Sequence, residues 1–256
     1  MRRVVVKVGS AVLTQNDEIA LERMQSLVDF LAELKKSNEV ILVSSGAVAG
    51  GYTKLKLDRT ILKNKQALAA IGQPVLLKKY DRKFLKHNIL VSQVLVTAAN
   101  LNKLDDIVRV KNTIDTLLEN GVIPIINEND ATSTDELELG DNDQLSAYIA
   151  KHSDSDILII LSDIDGYYDH DPRTNPHAKI LKVINSIDEA ELEKEVTPNN
   201  VFATGGIVTK LKAADYLLAC GKSMFLASGF DLSDVKSFML DSKHLGGTLF
   251  KKANKQ

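Results

Sequence analysis

Lys7-Val8-Gly9-Ser10 closes an apolar run with a cation followed by a glycine. A glycine lets backbone N–H groups approach an anion, and a lysine adds a mobile point charge suited to phosphate. Taken alone, Lys7 reads equally well as a lysine whose stem covers a strand end. A second cluster, Ser44-Ser45-Gly46-Ala47-Val48-Ala49-Gly50-Gly51, joins another apolar run to small residues able to start a helix. Free N–H groups at a helix start bind phosphate or carboxylate; the competing reading is a tight strand-to-helix turn. The third cluster is the richest: Asn127-Glu128-Asn129-Asp130 follows Ile125-Ile126, and Gly140-Asp141-Asn142-Asp143 comes after it. Capping a helix needs one such side chain, not the whole set. Carboxylates beside amides suit a zwitterionic amino acid, while oxygen-rich acids alternatively suit Mg²⁺, for which Asp163 after Ser162 is a further candidate. The fourth cluster, Thr204-Gly205-Gly206-Ile207-Val208-Thr209-Lys210, runs into an apolar helix. Lys210 falls about one turn inside that helix, within reach of a phosphate at its mouth. As a lone residue it reads as an ordinary surface lysine.

These clusters need a scaffold that brings them together. Strand candidates are Val4–Val8, Val40–Ser44, Ile89–Val96, Val122–Ile126, Ile157–Leu161 and Ser223–Ala227, continuous apolar runs that suit strands covered on both faces. Helical spacing appears in Ile19, Met24, Leu27, Val28, Leu31 and Leu34, and again over 65–86, 106–120, 143–152 and 206–219. Strand and helix taking turns predicts an α/β fold, a three-layer α/β/α sandwich on a mainly parallel sheet. Ligands in such sheets sit at the carboxyl ends of strands, which is where the polar clusters fall. We expect one domain, with an amino-acid-binding lobe over about 1–150 and a nucleotide-binding lobe over about 151–256. Residues 169–177, with two of the five prolines, read as a loop within it.

Composition narrows the field. The chain has 256 residues, 44% hydrophobic and 26% charged, with a formal net charge of -2, which predicts a folded core and argues against a nucleic-acid partner. Cys220 is the single cysteine, so no intrachain disulfide forms, and its apolar surroundings predict a buried thiol. No segment has the length of a membrane span or a signal-peptide core, and a cytoplasmic setting is the default. The loops match neither the Walker A nor the dinucleotide fingerprint, the histidines make no zinc pattern, and no serine-hydrolase elbow is present.

Read together, these residues resemble the amino acid kinase superfamily and, within it, the glutamate 5-kinases. Three features are of the superfamily at large: Lys7 with Gly9, the segment Asp165-Gly166-Tyr167-Tyr168 through Asp171-Pro172-Arg173, and Gly205-Gly206 leading to Lys210. The acceptor half is similar to glutamate 5-kinases in particular, through Val43-Ser44-Ser45-Gly46-Ala47, Ile126-Asn127-Glu128-Asn129-Asp130 and Gly140-Asp141-Asn142-Asp143. Many such enzymes continue into a C-terminal PUA-type domain, which is not expected after Gly247-Thr248-Leu249-Phe250.

The resemblance implies transfer of the γ-phosphoryl group of ATP to the side-chain carboxylate of L-glutamate. It implies Lys7 and Lys210 as charge-stabilising groups and Asp143 as the residue that holds both. It implies backbone N–H groups of Gly9, Ser10 and Gly46 on phosphate oxygens, and Ser45, Gly46, Asn127, Asp130, Asp141 and Asn142 around glutamate. The nucleotide falls to Lys7, Gly9, Ser10, Ser162, Asp163 and the stretch Thr204, Gly205, Gly206, Ile207, Val208, Thr209, Lys210. Mg²⁺ is expected to be held mainly by ATP phosphates and water. Proline inhibition and a homodimer or homotetramer are further implications. Acetylglutamate or carbamate as acceptor, or a sensing module without turnover, are the alternatives.

Overall fold

The computed structural model describes residues 1–132, 142–193 and 206–253. Chain order begins with β1 (Arg2–Val8), α1 (Ser10–Leu13), β2 (Thr14–Gln15), β3 (Glu18–Ile19), α2 (Leu21–Lys35), β4 (Asn38–Ser44), α3 (Ala47–Tyr52) and α4 (Leu62–Phe84). Next come β5 (Val91–Val96), α5 (Ala98–Asn102), α6 (Leu104–Glu119), β6 (Ile123–Glu128), α7 (Asn142–His152) and β7 (Ile157–Ser162). The last elements are β8 (Val183–Ile184), α8 (Glu189–Leu192), α9 (Ile207–Ala219), β9 (Ser223–Ser228), α10 (Ser233–Met239) and β10 (Thr248–Phe250). All six expected strands form, and so do the five expected helices.

Eight strands make one sheet in the order β5-β6-β4-β1-β7-β9-β10-β8. From β5 to β9 every pairing is parallel, while β10 runs antiparallel to β9. The alternation of side chains along a strand divides the core into two layers. Val4, Val6 and Val8 face one layer with Phe30 and Leu31 of α2, Leu76, Tyr80 and Phe84 of α4, and Val235 of α10. Val5 faces the other with Ile114 of α6, Leu145 of α7 and Leu211 of α9. Lys7 has the parity of Val5, so its side chain starts from the face covered by α7 and α9.

Two glycines make the packing of α3 on α4 possible. A Cβ on Gly51 would stand 1.9 Å from the carbonyl oxygen of Leu68, and one on Gly72 would stand 1.7 Å from that of Ala47. Gly50 and Gly51 therefore lie inside a helix at a close crossing and belong to neither an anion loop nor a turn. Cys220 departs from expectation, because it is exposed. It caps the C-terminus of α9, one residue past the last helical turn, and Gly221 at φ +72° turns the chain away from the core.

Candidate active site

Three strand ends meet beside the start of α7. Gly9 and Ser10 follow β1, Ser45 and Gly46 follow β4, and Ser162 and Asp163 close β7, the strand next to β1. Gly46 has φ 100°, a left-handed conformation that favours glycine, and this turns the chain from β4 into α3.

Asp143, in the first turn of α7, is fully buried. One carboxylate oxygen accepts from Lys7 Nζ at 2.5 Å. The other accepts from Lys210 Nζ at 3.2 Å and Thr209 Oγ1 at 2.8 Å. Lys7 and Lys210 are 3% and 4% exposed, so neither is a surface lysine. Two residues 203 positions apart in sequence thus share one buried carboxylate. A charge out of water must be paired and hydrogen-bonded, and here one carboxylate pairs with two ammonium groups. The N-terminal turn of α9 adds support: the Gly206 carbonyl accepts from Thr209 Oγ1 at 3.0 Å and from Lys210 Nζ at 3.4 Å.

Beside this clamp the Asn142 amide links the ends of β4 and β6. Asn142 Nδ2 donates to Ser45 Oγ at 2.9 Å, to Asn127 Oδ1 at 3.0 Å and to the Ser44 carbonyl at 3.2 Å. Asn127 Oδ1 also accepts from the Glu128 N–H at 2.9 Å. Asn142 Oδ1 and Asn127 Nδ2 are buried and have no hydrogen-bond partner among the described residues. An unmet buried polar atom costs ~1–3 kcal/mol. Here one unmet acceptor and one unmet donor stand in adjoining side chains, a pair that matches a ligand with both an ammonium and a carboxylate.

Sequence comparison gives the site a family. The model of the "Amino acid kinase family" matches residues 2–228. "Glutamate 5-kinase" of Wolinella succinogenes is 54% identical over 255 residues, covering 98% of this chain and 98% of that protein. "Glutamate 5-kinase" of Leishmania donovani is 51% identical over 250 residues, covering 98% of this chain and 95% of that protein. The chain belongs to the amino acid kinase family, within the glutamate 5-kinases. The T. acidophilum isopentenyl phosphate kinase product complex shares the fold, with a TM-score of 0.68 at 15% identity over 97% of this chain and 100% of that one.

The other residues of interest in this kinase fall into place unevenly. Asp130 is half-buried two residues beyond β6. Burial pushes its carboxyl up to about 6, the Glu128 charge adds to the rise, and Lys65 on α4 opposes it. A raised carboxylate with an acid neighbour is a place where a ligand's cation is favoured. Ser162 Oγ donates to Asp163 Oδ1 at 2.9 Å. Val208 is buried and Ile207 packs against the core, so their side chains serve α9. The N–H of Gly9 departs from expectation: it donates to the Leu161 carbonyl at 3.0 Å, as the neighbouring strand continues past β1. A Cβ on Gly9 would stand in ordinary contact with the Leu161 carbonyl oxygen at 3.6 Å and Lys7 Nζ at 3.8 Å. Asp141, Thr204 and Gly205 lie outside the described residues.

Thr209, expected beside the nucleotide, also donates to Asp143. Tyr80 is a contributor that sequence reasoning misses: its hydroxyl lies 2.9 Å from Ser44 Oγ, and burial holds that hydroxyl well above the ordinary phenol range. Neither has a sequence signature, because each depends on a partner more than thirty residues away.

Proposed function

We propose that the chain transfers the γ-phosphoryl group of ATP to the side-chain carboxylate of L-glutamate, giving L-glutamyl 5-phosphate and ADP, the step that opens proline synthesis. The observation that carries this reading is the Lys7–Asp143–Lys210 clamp beside the hydrogen-bonded Ser45–Asn142–Asn127 chain. A side-chain carboxylate is ionised at neutral pH, so the nucleophile needs no general base. The remaining work is to bring two anions together and to offset charge on the transferring group. Lys7 and Lys210 do the second, with Asp143 holding both ammonium groups in position and acting as no base. Asn127, Asn142, Ser45 and Asp130 do the first. The unmet Asn127 Nδ2 takes the carboxylate of the amino acid, and Asp130 with Asn142 Oδ1 takes its ammonium.

On this reading residues to about 150 hold the acceptor and those beyond hold the nucleotide, through Ser162, Asp163 and the N-terminal turn of α9, joined by Ser10 at the end of β1. Mg²⁺ bound to the phosphates would neutralise part of their charge. The ion is proposed to be held mainly by phosphate and water, with Asp163 a candidate side-chain ligand. Proline inhibition, a homodimer or homotetramer and a cytoplasmic setting form part of the same proposal. No described helix is long and apolar enough to cross a membrane.

The test is acyl phosphate trapping. With ATP, Mg²⁺ and hydroxylamine, L-glutamate should yield hydroxamate, and D-glutamate, L-aspartate, acetylglutamate and carbamate should yield little. Faster turnover with any of these controls reassigns the acceptor.

A further inference from the structure

We infer that Gln73 is a positioning residue for the acceptor: its carboxamide fixes the Glu128 carbonyl and with it the turn from Asn127 to Asp130. This rests on the reading of that turn as part of the glutamate site.

Gln73 lies in α4 and is 7% exposed. Its Nε2 donates to the Glu128 carbonyl oxygen at 3.2 Å, and its Oε1 accepts from Gln93 Nε2 at 3.1 Å. Gln93 stands on β5, at the edge of the described sheet, where β5 pairs with β6. The relay therefore ties a helix, the edge strand and the end of β6 at one point. Both ends of the Gln73 amide are used. Turning it over would set its NH₂ against that of Gln93 and its oxygen against a carbonyl, so the amide has one favoured orientation.

Residue 73 is itself held in place. Gly72 allows α4 to close on the Ala47 carbonyl of α3, the helix that begins just after Ser45 and Gly46. One helix thus reaches both banks of the glutamate site: the Ser45–Gly46 bank through the glycine crossing, and the Glu128–Asp130 bank through Gln73. Gln73 hydrogen-bonds to none of Lys7, Asp143 and Lys210. Its loss should loosen the acceptor site and leave phosphoryl transfer from a saturated enzyme nearly intact.

The experiment compares Gln73→Met and Gln93→Leu with wild type in steady-state assays of both substrates. Methionine keeps the volume and removes both hydrogen bonds. One buried hydrogen bond to a carbonyl corresponds to about a tenfold change. The expected result for Gln73→Met is KM for glutamate raised about tenfold, with KM for ATP and kcat within about twofold of wild type. Gln93→Leu, on the partly exposed edge, should show the same split at about threefold and serves if the first variant fails to fold. The double variant should match Gln73→Met, because the two residues act as one relay. An active wild type with KM for glutamate unmoved in the variants, or with KM for both substrates rising together, overturns this inference alone. A wild type inert toward glutamate overturns the functional reading, and this inference with it.

Discussion

Removing the Lys210 ammonium probes the clamp where it can be quantified. Lys210→Ala takes one positive charge from a fully buried cluster and leaves Asp143 with Lys7 at 2.5 Å and Thr209 at 2.8 Å. Those two side-chain donors survive, so the variant should fold. The kinetic cost can be approached in two ways. A unit charge about 4 Å from a developing negative charge, at an effective dielectric of about 20, contributes ~4 kcal/mol. Deletion of one preorganised donor to an oxyanion costs ~2.7–4 kcal/mol. Both correspond to a loss of about a hundredfold to a thousandfold in turnover. The assay is ADP release at saturating L-glutamate and MgATP, with circular dichroism and a melting curve to confirm the fold. A folded Lys210→Ala that turns over within about threefold of wild type refutes the role given to that ammonium.

Other outcomes follow from the same geometry. Asn142→Ala removes the amide joining Ser45 to Asn127 and should raise KM for glutamate about tenfold with a smaller effect on ATP; the reverse split, read from initial rates, means the two halves are assigned wrongly. Asp130 has its carboxyl pushed up to about 6 from an ordinary 3.8, so the stability it contributes is present at low pH and is lost as pH rises through about 6. Without ligand, Asp130→Asn should therefore melt higher than wild type at pH 8, with the gap closing below about pH 6, while its KM for glutamate rises and loses its increase on acidification; melting curves and kcat/KM profiles check both. Gly51→Ala would drive a methyl into the Leu68 carbonyl and should cost ~1–3 kcal/mol or prevent folding, as measured by urea titration.

The central sheet was readable from sequence because its strands are buried on both faces and carry unbroken apolar runs, as in Val4–Val6 and Ile157–Leu161. The far edge was not. β8 has two residues and β10 three, too few for a period to show, and their pairing depends on long connections. Lys7 could be read as unusual, since a cation stood at the end of an otherwise apolar strand. Lys210 could not be told from a solvated lysine, because its burial comes from α7 packing beside α9. Cys220 misled, since an apolar run ending in a helix cap looks the same as one that continues into the core. Gln73 gave no signal at all: its acceptor is a backbone carbonyl 55 residues away, and backbone atoms leave no pattern in a sequence.

The convergence of two ammonium groups on one migrating phosphoryl group is best tested by a crystal structure with ADP, aluminium fluoride and L-glutamate bound. The fluoride group should lie within hydrogen-bonding distance of both Lys7 Nζ and Lys210 Nζ, with the glutamate side-chain carboxylate in line behind it. A complex in which either nitrogen points away from the fluoride group, or in which glutamate presents its α-carboxylate instead, contradicts the mechanism.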